Sequence, residues 1–157
     1  MAIVNPGFAS AHIGENQDLF IISTTDYGAT AYSSPGATVT VVFDAADETI
    51  GSEVAIDTDT GDITIQPNLT CSLTATVFLN QVPTINKWPS CQWYNVTDSV
   101  ELGNAAPAGT PVTATITPAA ETVVVLKLTN ANGANWEYPA QITGGQVAAE
   151  IISGYTV

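Results

Sequence analysis

Apolar and polar residues alternate with period two along most of this chain, and a helical period is almost nowhere to be found. Leu73, Ala75, Val77 and Leu79 fall to one side while Ser72, Thr74 and Thr76 fall to the other. Successive side chains of a strand point to opposite faces, so this stretch reads as a strand with one dry and one wet side. Val112, Ala114 and Ile116 alternate with Thr113, Thr115 and Thr117 in the same way. Further strands are expected at 19–24, 39–43, 53–56, 63–66, 91–96, 122–128, 147–152 and 155–157. Turn clusters separate them: Ser33-Ser34-Pro35-Gly36, Asp59-Thr60-Gly61, 104–109, 130–135 and Gly144-Gly145. Ten short strands at this spacing predict an antiparallel all-β sandwich or jelly roll.

The 157 residues suffice for one hydrophobic core without a metal or disulfide staple. Residues 1–17 lack the alternation and, with Pro6, Gly7 and Gly14, read as an N-terminal arm; 18–157 read as one domain with no repeat or linker. The formal net charge of −13 arises from missing bases, since Lys87 and Lys127 are the only two and there is no arginine. Phosphate recognition relies on Lys and Arg, so nucleic acid is a poor partner, and anionic membrane is repelled for the same reason. The opening Met-Ala-Ile-Val-Asn-Pro-Gly-Phe has neither the basic nor the continuous apolar region of a secretory signal, and no stretch approaches a membrane span. Cytoplasmic synthesis without a signal peptide is the expectation.

Several segments taken in order carry a resemblance. Val41-Val42-Phe43-Asp44, then Asp57-Thr58-Asp59-Thr60-Gly61-Asp62-Ile63-Thr64-Ile65, then Cys71-Ser72-Leu73-Thr74-Ala75 resemble the middle of the jelly-roll family shared by the complement first-component globular head and tumour necrosis factor. In that family an Asp-x-x-Thr-Gly turn leads into a strand and is followed by an aromatic-x-Phe/Leu-x-Ala strand; Cys71 stands here at the aromatic position. The segment 123–130 resembles the family's long penultimate strand, and Ile152-Ser153-Gly154-Tyr155-Thr156-Val157 its closing one. The resemblance spans 19–157. It implies a ten-stranded jelly roll that assembles as a threefold homotrimer, in a family whose modules bacteriophage virions use as capsid decorations and fibre tips. A virion location, a partner in the major capsid protein or another virion protein, and a host glycan for a fibre-tip version follow as expectations. Mean hydropathy of +0.21 agrees with some apolar surface lying at an interface.

The residue types that carry chemistry argue for binding over catalysis. His12 is the only histidine, and no nucleophile and carboxylate are tied to it by spacing, as a hydrolytic triad requires. Asp44, Asp47 and Glu48 supply paired carboxylates but read as a solvated acidic loop after a strand. No catalytic residue and no cofactor is assigned. The one metal candidate is calcium at Asp57, Asp59 and Asp62, a weak one because calcium wants six to eight oxygens and the hand-type loop would need an acid where Asn68 stands. The competing reading is a hairpin whose Asp and Gly make the turn. Cys71 and Cys91 are open between two buried thiols and one bridge, with two thiols expected. Asn68-Leu69-Thr70 and Asn95-Val96-Thr97 match the glycosylation pattern but read as polar turns.

Partner contacts are expected from Ile3, Val4 and Phe8 in the arm and from Trp88, Trp136 and Tyr138 in loops, since aromatic rings bury much area while keeping a polar handle. Trp93 reads equally as core. Lys127 interrupts an apolar strand and is either an outward, wet lysine or one half of an ion pair at a subunit contact.

Overall fold

The computed structural model describes residues 17–22, 38–43, 45–49, 52–79, 89–129 and 142–154. Within them the period-two pattern becomes eleven strands: β1 (Gln17–Ile22), β2 (Thr38–Thr40), β3 (Ala45–Thr49), β4 (Val54–Ile56), β5 (Ile63–Ile65), β6 (Thr70–Leu79), β7 (Ser90–Asn95), β8 (Val100–Pro107), β9 (Val112–Ile116), β10 (Thr122–Thr129) and β11 (Ile142–Ser153). Every pairing is antiparallel. One sheet has the order β3-β1-β11-β6-β9; the other runs β4-β5-β10-β7-β8, with β2 also on β10.

The count of eleven corrects the expected ten. The strands not expected are β3 and β8, while the strand expected at 39–43 is β2, which pairs with β10 over Lys127–Thr129 while β5 occupies Thr122–Val124, so the two share one edge of β10 in succession. Between them Val41 N–H donates to the Leu126 carbonyl at 2.8 Å. Three turn or loop assignments also change. The segment expected to be an acidic loop after Asp44 is β3, paired with β1 at the edge of its sheet, a position where charged residue types are well tolerated. The expected turn at 104–109 is largely the second half of β8, an edge strand that accommodates Pro107 because an edge need not donate every N–H. Gly144-Gly145 lies inside β11 opposite Phe78 and Val77, just past a register shift at Ile142/Gly144; paired glycines here mark an irregularity within a strand. The strand expected at 155–157 lies outside the described residues.

The core forms where the dry faces of the two sheets meet. Cys71, Leu73, Ala75 and Val77 on β6, Val112 and Ala114 on β9, and Val147, Ala149 and Ile151 on β11 face Ile63, Ile65, Cys91, Trp93, Val124, Leu126 and Leu128 from the other sheet. Trp93 is fully buried, and its Nε1–H donates to the Val112 carbonyl at 3.1 Å, so the indole spans the sandwich without leaving its donor unpaired. Cys71 and Cys91 sit in opposite sheets as two buried thiols with no disulfide between them. Burial pushes the Cys91 thiol up from 9.0 to about 12.

Candidate functional site

With the dry faces consumed by the core, the wet faces remain for recognition, and the two sheets differ sharply. On the β11-β6-β9 sheet the outward positions are Thr70, Ser72, Thr74 and Thr76 on β6, Thr113 and Thr115 on β9, and Gln146, Ala148 and Glu150 on β11. Thr74 lies opposite both Thr113 and Ala148, Ser72 opposite Thr115 and Glu150. Thr70 and Thr117 share a hydroxyl hydrogen bond of 2.9 Å. On these three strands the described outward side chains are short and carry one charge, Glu150, in a chain of net charge −13. Exposed Phe78 and Ile152 stand toward opposite ends of this face.

On the second sheet the outward positions build a recess. Gln92 and Tyr94 from β7, Glu101 from β8, Lys127 and Thr129 from β10 and Thr38 from β2 surround an open cavity of about 270 Å³, to which Trp93 also contributes. The strand register puts them together: Tyr94 is opposite Val125 on one side and Glu101 on the other, while Lys127 is opposite Gln92 and Thr40. The Lys127 ammonium lies 3.4 Å from the centroid of the Tyr94 ring, a contact in which the negative ring face attracts the cation. Gln92 Nε2 donates to the Gly103 carbonyl at 3.1 Å, orienting the amide. Thr38 and Thr129 join their hydroxyls at 2.9 Å. Val125, opposite Tyr94 in the register, is 3% exposed although it lies on the outward side of β10 and outside the main core.

Of the residues singled out from sequence, Ile3, Val4, Phe8, Trp88, Trp136 and Tyr138 lie outside the described residues. Lys127 points outward and is half-buried, and its described partner is a ring where an ion pair was one expectation. Asp57, Asp59 and Asp62 occupy the β4–β5 turn. There Asp57 Oδ1 accepts the N–H groups of Asp59 at 2.8 Å and Thr60 at 3.2 Å, and Gly61 takes φ +81°. Among the described residues no three acidic, histidine or cysteine side chains gather in a way that could hold a metal ion. Asn95, the first residue of one glycosylation pattern, is 3% exposed and hydrogen-bonded to Asp98, so its amide is engaged in the turn. Gln92, Glu101, Thr38 and Thr129 drew no attention in the sequence; their shared parity on separate strands is visible there, but the register that makes them neighbours is not.

No protein-family model matches this sequence, and no curated protein sequence matches it. Solved structures do match in fold. Murine APRIL superposes with a TM-score of 0.53 at 8% identity, over 86% of this chain and 99% of that one. PRD1 vertex protein P5 superposes with a TM-score of 0.51 at 16% identity, over 86% of this chain and 96% of that one. VP2 of the infectious bursal disease virus subviral particle gives a TM-score of 0.51 at 12% identity, over 90% of this chain but 34% of that chain. The chain has the jelly-roll fold found in tumour necrosis factor-like and viral proteins.

Proposed function

We propose that this protein is a structural component of a virus particle, a decoration or cement protein that docks on the outside of a bacteriophage capsid as a homotrimer. The observation that carries this reading is the likeness in fold, over nearly the whole of both chains, to the PRD1 vertex protein P5. Two features of the chain support it. The charge-poor Ser/Thr face of the β11-β6-β9 sheet, with Phe78 and Ile152 toward its ends, is the surface where copies of a net −13 chain meet with least repulsion. The overall acidity keeps the protein off packaged nucleic acid and steers it toward basic patches on a shell. Because it binds the assembled shell alone, it raises shell stability by mass action and without chemistry.

The N-terminal arm supplies the anchor, with Ile3, Val4 and Phe8 adding to an exposed strand or groove of the capsid protein. Stripping the protein from source capsids and adding it back tests this. The full chain should rebind in a salt-sensitive way, and a chain lacking residues 1–16, which leaves β1 intact from Gln17, should stay trimeric and fail to rebind. Equal rebinding by the shortened chain would sink the anchor, and a full chain that never binds shells would sink the decoration role. A second reading, a receptor-binding knob of a head or tail fibre that recognises host carbohydrate, is favoured by the recess around Lys127 and Tyr94.

A further inference from the structure

Lys127 has an uncommon setting for this chain. Fifteen acidic residues face two lysines in the sequence, yet among the described residues no carboxylate forms an ion pair with Lys127, whose ammonium rests against the Tyr94 ring. Glu101 lines the same recess without reaching that ammonium. The recess therefore presents a cation with donors to spare, a carboxylate with acceptors to spare, and the Gln92 oxygen left over once its nitrogen is engaged with Gly103. The paired Thr38 and Thr129 hydroxyls stand at its rim.

We propose that this recess binds one neutral glycosyl unit, with Lys127 donating to and Glu101 and Gln92 accepting from neighbouring hydroxyls of the sugar ring. A hydroxyl both donates and accepts, so it satisfies a lysine on one side and a carboxylate on the other. An anionic ligand would meet Glu101 and the field of a −13 chain; a cationic ligand would meet Lys127. About 270 Å³ lies just below the range of drug-sized ligand pockets, which suits a single ring. Tyr94 gives the recess an apolar surface against which the C–H face of a sugar packs. All the polar groups sit on paired strands, so little ordering is required on binding.

The inference rests on the carbohydrate-recognition reading and does not lean on shell docking. Its test is titration of the isotope-labelled full chain with the methyl α-glycosides of glucose, galactose and mannose, and with methyl β-D-glucuronide as the charged control, followed by amide NMR. The expected result is a saturable millimolar shift at Gln92, Tyr94, Glu101 and Lys127 with at least one neutral glycoside, and weaker binding of the glucuronide. Glu101→Gln and Lys127→Met, the second keeping the aliphatic stem on the ring, should each weaken binding by about tenfold, the scale of a charge-assisted hydrogen bond. The absence of saturable shifts at these residues, tighter binding of the glucuronide, or unchanged affinity in both variants would overturn the proposal. Both variants should rebind source shells like the parent chain. If they lose shell rebinding and the parent binds no glycoside, the recess is a protein contact and the saccharide assignment is wrong.

Discussion

Asn95 and Asp98 hold the β7–β8 turn by two reciprocal hydrogen bonds: Asn95 Nδ2 donates to Asp98 Oδ2 at 2.9 Å, and the Asp98 N–H donates to Asn95 Oδ1 at 3.0 Å. Asn95 occupies an inward position of β7, where a polar side chain is costly unless satisfied. Asn95→Ala should lower stability by about 2 kcal/mol, because it strands the Asp98 carboxylate and N–H and opens a small void. Urea unfolding checks this, and a loss below about 0.5 kcal/mol, the noise of ordinary surface changes, would show that the pair is ornamental.

Gly61 closes the β4–β5 turn at φ +81°, and a Cβ there would stand 2.4 Å from the Val41 carbonyl oxygen. That carbonyl belongs to the segment bonded to Leu126, so it has little room to yield. Gly109 has a similar φ of +88° but open space around its missing Cβ. Gly109→Ala should cost about 1–2 kcal/mol from the left-handed backbone alone. Gly61→Ala carries the steric clash in addition and should cost clearly more. Equal midpoint shifts for the two variants would show that the turn at Gly61 moves freely away from Val41.

The Cys91 thiol sets an alkaline limit. In the unfolded chain it ionises near its ordinary value of 9.0, whereas in the fold it keeps its proton until about 12. Its contribution to stability is therefore intact below pH 9.0 and lost as the pH rises toward 12, at about 1.4 kcal/mol per pH unit from this group. Cys91→Ala should be less stable than the parent at neutral pH but lose stability less steeply across that window. Parallel alkaline losses would assign the effect elsewhere. A thiol reagent should find two reactive cysteines in denaturant and react far more slowly with the native protein, since both thiols are buried.

Assembly is tested on the outward face of β11, β6 and β9. Light scattering on a size-exclusion peak should give about three times the chain mass of 16.3 kDa. Thr74→Arg places a long cation at the centre of the β11-β6-β9 surface, opposite Thr113 and Ala148, and should yield monomers with an unchanged β-sheet circular dichroism spectrum. A parent chain that runs as a monomer at micromolar concentration rules out the trimer. A trimeric Thr74→Arg chain moves the contact to another face.

Much of this fold was legible one strand at a time. The alternation at 72–79 and 112–117 predicted β6 and β9 and their buried sides, because a half-buried strand must repeat every two residues whatever its neighbours are, and the apolar run at 122–128 predicted β10. The Asp-Thr-Gly run also signalled its turn correctly, since Asp57 and Gly61 make that turn with local groups alone. The errors fell where local chemistry has two outcomes. Gly144-Gly145 suits a tight turn and a strand irregularity equally, and only pairing with Phe78 and Val77 selects the second. The sequences of β3 (Ala-Ala-Asp-Glu-Thr) and β8 (Val-Glu-Leu-Gly-Asn-Ala-Ala-Pro) carry no apolar alternation, and only their pairing with β1 and β7 makes them strands. The recess was beyond reach for a related reason: Lys127, Tyr94 and Glu101 come from three strands, and only the pairing register brings their side chains together. The sequence by itself determined the dry and wet sides of β6 and β9 and the scarcity of cationic side chains, both of which are properties of residues taken locally. Which strands became neighbours, and therefore where the solitary described lysine met its ring, was decided by the tertiary structure, because register is set by the fit of whole faces in the core.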